Sequence, residues 1–161
     1  MLRGLVALTV VLGLWACSEE TEIAELKAYV KALQQISHHN DQIQSFITKL
    51  DDPTFEVTEQ SNNEARKLLE DYSAAVSAVF EPDDNTLRST HELYLRTFKD
   101  ARRLATDRTG DLRRQAHSVA IGFRNLRRDV ADRLYPSLDV LLARRNLESE
   151  EYALRWPFPE K

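Results

Sequence analysis

Apolar side chains recur along this chain at spacings of mostly three and four. The pattern is interrupted at Asp51-Asp52-Pro53, at residues 81–85 and at Thr109-Gly110-Asp111. Such spacing keeps one face of a helix apolar, and the interruptions carry the residues that end helices. The pattern predicts four helical runs. The first spans residues 19–50, with Ile23, Leu26, Val30, Leu33, Ile36, Ile43, Ile47 and Leu50 on its seam and Asn40 as a polar member. One helix of that length is about 45–50 Å long at 1.5 Å per residue. Pro53 stops it, because proline lacks the backbone donor and keeps the preceding residue out of helical angles.

The second run reaches Phe80 and buries Ala65, Leu68, Leu69, Tyr72, Ala75, Val76, Val79 and Phe80, with Ser61 and Glu64 as a capping box. Phe55 and Val57 precede it and cover the bundle end. The third, residues 87–105, places Leu87, His91, Tyr94, Phe98, Ala101 and Ala105 on one face, with Asn85 or Thr86 as its cap. The fourth starts near Asp111 and runs through Leu112, Ala116, Val119, Phe123, Leu126, Val130 and Leu134. Pro136 kinks it or begins a separate short helix carrying Leu138, Leu141 and Leu142. No strand alternation is present. The expected fold is all-α, an antiparallel up-down four-helix bundle whose fourth helix is kinked or broken near Pro136. A coiled-coil dimer built from the same seams is the other arrangement.

The start of the chain is organised differently. Arg3 is followed by an apolar run from Leu5 to Trp15, then the small residue Ala16 and then Cys17, the only cysteine. About 11 apolar residues are too few to cross a hydrocarbon core near 30 Å thick, so the run reads as a secretory signal. The segment Leu14-Trp15-Ala16-Cys17 resembles the lipobox of bacterial lipoproteins. That resemblance implies cleavage before Cys17, a diacylglyceryl group on its thiol and acylation, as by palmitate, of its new amino terminus. Ser18, rather than an aspartate, implies sorting to the outer membrane with the body in the periplasm. The implied organisation is a signal peptide over residues 1–16, a lipidated tether over 17–22 and a helical domain with an aromatic and proline-rich tail over 23–161.

This address narrows the chemistry. Met1 is the only methionine, and no cysteine besides Cys17 exists, so a mature chain has no thiol nucleophile, thiolate metal site or methionine ligand for haem. The glycines left beyond the signal are Gly110 and Gly122, too few for a phosphate-cradling loop. The histidines, His38, His39, His91 and His117, lack the Glu-x-x-His pattern of bundle di-iron sites: Gln35, Ile36, Arg88 and Arg114 stand three residues before them. No catalytic residue, metal or cofactor is expected, and an enzyme is not the reading. A bundle that binds lipid, haem or metal between its helices is the alternative function.

Charge adds one more feature. The whole chain carries 22 basic and 26 acidic side chains, but they are unevenly placed. Residues 17–85 hold 15 acids and 5 bases, and residues 86–161 hold 11 acids and 16 bases. Either the halves face each other across one bundle, or the basic half meets an anionic partner. The arginine pairs Arg113-Arg114 and Arg127-Arg128 suit phosphate or carboxylate, although adjacent helical residues diverge by about 100° and ion pairing on a solvated face is the favoured account. Trp156 and Phe158, each followed by a proline, cap the bundle end or dock a protein partner in the envelope. The function expected is that of a non-enzymatic, membrane-tethered interaction or assembly subunit, with no nucleic-acid role.

Overall fold

A computed structural model describes the backbone of residues 4–156 and the side chains of residues 19–156. Within them the chain is all-helical, with six α-helices: α1 (Gly4–Gln35), α2 (His38–Asp51), α3 (Glu59–Ser77), α4 (Asn85–Ala105), α5 (Leu112–Asp129) and α6 (Tyr135–Arg144). A π-turn, Val130–Leu134, joins α5 to α6, and a 3-10 turn, Glu150–Tyr152, lies in the closing segment. Among the described residues no helix is long and apolar enough to cross a membrane.

The expected first helix is two helices, joined at Ile36 and Ser37. Here the backbone tightens to i→i−3 bonds: Ile36 N donates to Leu33 O, Ser37 N to Gln34 O, His39 N to Ile36 O and Asn40 N to Ser37 O. The Ser37 hydroxyl also donates to Gln34 O at 2.7 Å. A straight helix drifts about 20° per heptad from a seam that repeats every seven residues. One overwound turn takes up that drift. Leu26, Tyr29, Val30 and Leu33 before the joint, and Asn40, Ile43 and Ile47 after it, all stay buried.

The other break is at Pro136. Tyr135 N bonds to Val130 O, five residues back, so the turn before the proline is widened. Proline brings no donor, and its ring clashes with the carbonyl four residues back in a regular helix. The extra residue also rotates α6 about its axis by about 100°. Tyr135, Leu138 and Leu142 therefore face the core, while Leu141 is only partly buried.

Two caps differ from expectation. α3 is capped by Thr58 with Ser61, each side chain answering the other's backbone N–H, rather than by Ser61 with Glu64. Glu64 instead accepts from Gln60 at 2.8 Å. α4 is capped by Asp84, whose carboxylate accepts from Thr86 N and Leu87 N. Phe80 and Leu112, expected on buried faces, are 42% and 39% exposed because they stand at the ends of their runs, although Phe80 still meets Tyr29 of α1 edge-on.

The core holds one layer of polar groups donated by four elements. Asn40 (α2) donates its amide to the Tyr135 hydroxyl at 2.7 Å, and the Tyr72 hydroxyl (α3) donates to the Asn40 carbonyl at 2.6 Å. Tyr94 (α4) meets the Tyr72 hydroxyl at 2.5 Å. Because Tyr72 spends its proton on Asn40, Tyr94 is the donor in that bond. Burial pushes all three phenols above their ordinary range, so they stay protonated and keep donating. Phe98 closes the layer, edge-on to Tyr72 with ring centres 4.8 Å apart.

Candidate interaction surface

The arginine pairs lie on α5, and the start of that helix is built from the loop before it. Asp107 accepts from Thr109 N and Oγ1 at 2.9 and 2.6 Å, and these bonds hold its carboxyl below the usual range. Gly110 takes φ 81°, a left-handed angle that a side chain resists. Asp111 then caps the helix through Arg114 N at 2.8 Å. Behind the loop, the nearly buried Arg66 of α3 donates to Ala105 O at 2.7 Å and to Gln115 Oε1 at 3.0 Å. A guanidinium there answers the negative end of α4. Burial lowers its pKa somewhat from the ordinary arginine value.

α5 is pressed against α4 at Gly122. A Cβ at that position would stand 3.0 Å from the Ala101 carbonyl oxygen and 3.4 Å from Leu104 Cβ. Ala116, Val119, Ala120, Phe123 and Leu126 fill the inward side. Arg114, His117, Ile121, Arg124 and Arg128 are exposed and succeed one another at steps of three and four, so they share the outer face.

Each pair is split across that helix. Arg114 and Arg128 are on the outer face, Arg113 is exposed beside it, and Arg127 is half-buried. Arg127 lines a groove with Tyr135, Pro136, Leu154 and Trp156. Arg128 pairs with Asp129 at 3.5 Å, and Arg124 pairs with Asp51 of α2. Arg113, Arg114 and Arg127 make no ion pair among the described residues. Beside the stripe is a hollow between α5 and the α2–α3 connection. Leu50, Phe55 and Val57 line it, with Arg113, His117 and Arg124.

Trp156 lies off the outer face, beside Arg127 in that groove, and is buried. Its indole N–H donates to Gln44 Oε1 at 3.2 Å. The closing segment crosses the α1–α2 joint to reach that point. Gln34 donates to the Glu151 and Ala153 carbonyls at 2.8 and 3.1 Å, and Lys31 pairs with Glu151 at 2.8 Å. Trp156 thus straps the joint from inside rather than offering an exposed ring. Phe158 lies outside the described residues. Cys17 falls within α1, with its side chain likewise outside them.

The histidines do not converge. His91 is buried against Tyr29, with a 3.2 Å bond between Nδ1 and the phenol oxygen. His39 stacks on the Tyr72 ring at 5.0 Å, His38 is exposed beside it, and His117 stands on α5. Among the described residues no three His, Cys, Asp or Glu side chains gather for a metal ion. Sequence reasoning singles out Asn40 and His91 as polar seam positions but misses their tyrosine partners and the buried Arg66, Gln44 and Asn62. The available signal is Tyr72 and Tyr94 on the same seams. Gln44 and Arg66 stand at helical spacing from buried positions, but their polarity disguises them. No family model, curated protein or solved structure matches the chain.

Proposed function

We propose that this chain is a bacterial envelope lipoprotein, held on the outer membrane by acyl chains on Cys17, with its helical body in the periplasm. There it serves as a non-enzymatic interaction or assembly subunit of an envelope complex. One observation carries the reading: the sole cysteine closes a short apolar run, and α1 continues from that run into the body without a break. We read the body as an antiparallel bundle of four rods, the first being α1 with α2 and the fourth α5 with α6, jointed near Pro136.

Two features support contact rather than turnover. The space between the helices is filled by side chains, Tyr29, Tyr72, Tyr94, Phe98 and Phe123 among the largest. The polar groups left outward on α5 are mainly arginines, with His117 the one imidazole among them. Palmitate labelling of cells tests the anchor: wild type takes up label in the envelope fraction and Cys17→Ser does not. Affinity purification from detergent extract tests the assembly role: a stoichiometric protein partner is expected, and its repeated absence contradicts that role.

A further inference from the structure

The outer face of α5 is exposed, and although Arg124 pairs with Asp51 and Arg128 with Asp129, Arg113 and Arg114 make no ion pair among the described residues. Between Leu112 and Arg128 the sequence holds five arginines and a histidine and no carboxylate. Arg114, His117, Ile121, Arg124 and Arg128 form one exposed line, about 21 Å long at 1.5 Å per residue. Ile121 stands in its middle, 37% exposed, an apolar contact between Arg114 and Arg124. The acidic half of the chain, residues 17–85, forms α2 and α3 and the part of α1 beyond the proposed anchor, and it contributes only 5 basic side chains against 15 acidic ones.

We propose that α5 lies along the anionic phospholipid headgroups of the membrane that carries the anchor. This rests on the lipoprotein reading above. Arginine forks bond phosphate oxygens in pairs, and an apolar residue between them enters the headgroup boundary. The hollow beside the stripe is mixed: Arg113, Arg124 and His117 line it with the apolar Leu50, Phe55 and Val57, and Asp52 is its one carboxylate. Acyl chains on Cys17 hold the body at the bilayer, which makes the second contact effectively intramolecular, so that a few arginines suffice. With α5 down, the end of α2 that bears Asp51 lies beside it, and the groove around Ser45 and Glu64 between α2 and α3 is the face to compare with it.

The test uses the full lipoprotein purified from envelopes and returned to vesicles. Once Cys17 is acylated the chain has no other thiol, so Ile121→Cys or Ser45→Cys takes a single fluorophore, the first on α5 and the second on exposed α2. Vesicles carry a headgroup-linked quencher in phosphatidylcholine, with or without phosphatidylglycerol. Strong quenching at position 121 and little at 45 is expected, only with phosphatidylglycerol, and reversed by 1 M salt. Arg114→Gln with Arg128→Gln should lower the bound population about five-fold per charge removed. Circular dichroism of each variant checks that the helices persist, and Arg124 is kept because its pair with Asp51 holds α2. Equal quenching at both positions, or quenching indifferent to phosphatidylglycerol or salt, overturns the proposal. The intact mass of the same preparation reports the anchor separately, so loss of one reading is not mistaken for loss of the other.

Discussion

The Tyr72 hydroxyl joins two other elements, donating to Asn40 and accepting from Tyr94. A buried donor or acceptor left without its partner costs about 1–3 kcal/mol. Tyr72→Phe strips the Asn40 carbonyl of its donor while leaving the ring packing intact, so urea denaturation should show a loss in that range with an unchanged slope. His91 gives a second expectation at this scale. Burial lowers both His91 and His39 below the ordinary imidazole value, partly offset at His91 by Glu81 and Glu92 and at His39 by Gln42 and Asp71, while His38 adds to the lowering at His39. The unfolded chain then binds more protons than the folded one as pH falls below about 6.5. Their contribution to stability is complete above that value and is lost as pH drops through the lower folded one. The melting temperature should therefore be lower at pH 5.5 than at pH 7.5. His91→Gln should flatten that dependence, and an unaltered slope would remove His91 as its source.

At the scale of elements, the two joints show what periodicity conveys and what it hides. Spacing of apolar residues places every helical run and both termini of α4 within a residue or two. It does not reveal the tight turn at Ile36 and Ser37, because an overwound turn preserves the seven-residue seam of a single long helix. Pro136 announces a disturbance, yet its form depends on which side chains the widened turn brings inward, Tyr135 and Leu142, and that is decided by packing. Gly122 is the clearest contact between elements. Alanine there gains about 1 kcal/mol of helix propensity. It also meets the Ala101 carbonyl at 3.0 Å, backbone that cannot swing aside. Overpacking costs about 1–3 kcal/mol, so Gly122→Ala should be net destabilising. A higher melting temperature would mean that α4 and α5 have room to separate.

Across the whole molecule, the closing segment and the charge division act over the longest distances. Trp156 fastens the end of the chain to Gln44 after the segment has crossed the α1–α2 joint. Aromatic and proline content marks that end as special, but only the Gln44 and Gln34 contacts show that it is a strap, and neither glutamine stands out in a hydropathy pattern. In the proposed mature chain, which starts at Cys17, Trp156 is the single tryptophan. Its fluorescence should be blue-shifted in the folded state and move red on unfolding in the same transition as helix loss. A red emission in the folded state would place the strap outside the core. The candidate surface is legible as arginine pairs, whereas the division of each pair between outer face and groove comes from the orientation of α5. The most direct test of the central claim is the intact mass of the protein taken from envelopes. A chain beginning at Cys17 and heavier by a diacylglyceryl group and an amide-linked acyl chain is the result expected. A chain that retains residues 1–16, or one that begins at Cys17 with a bare thiol and amine, would contradict it.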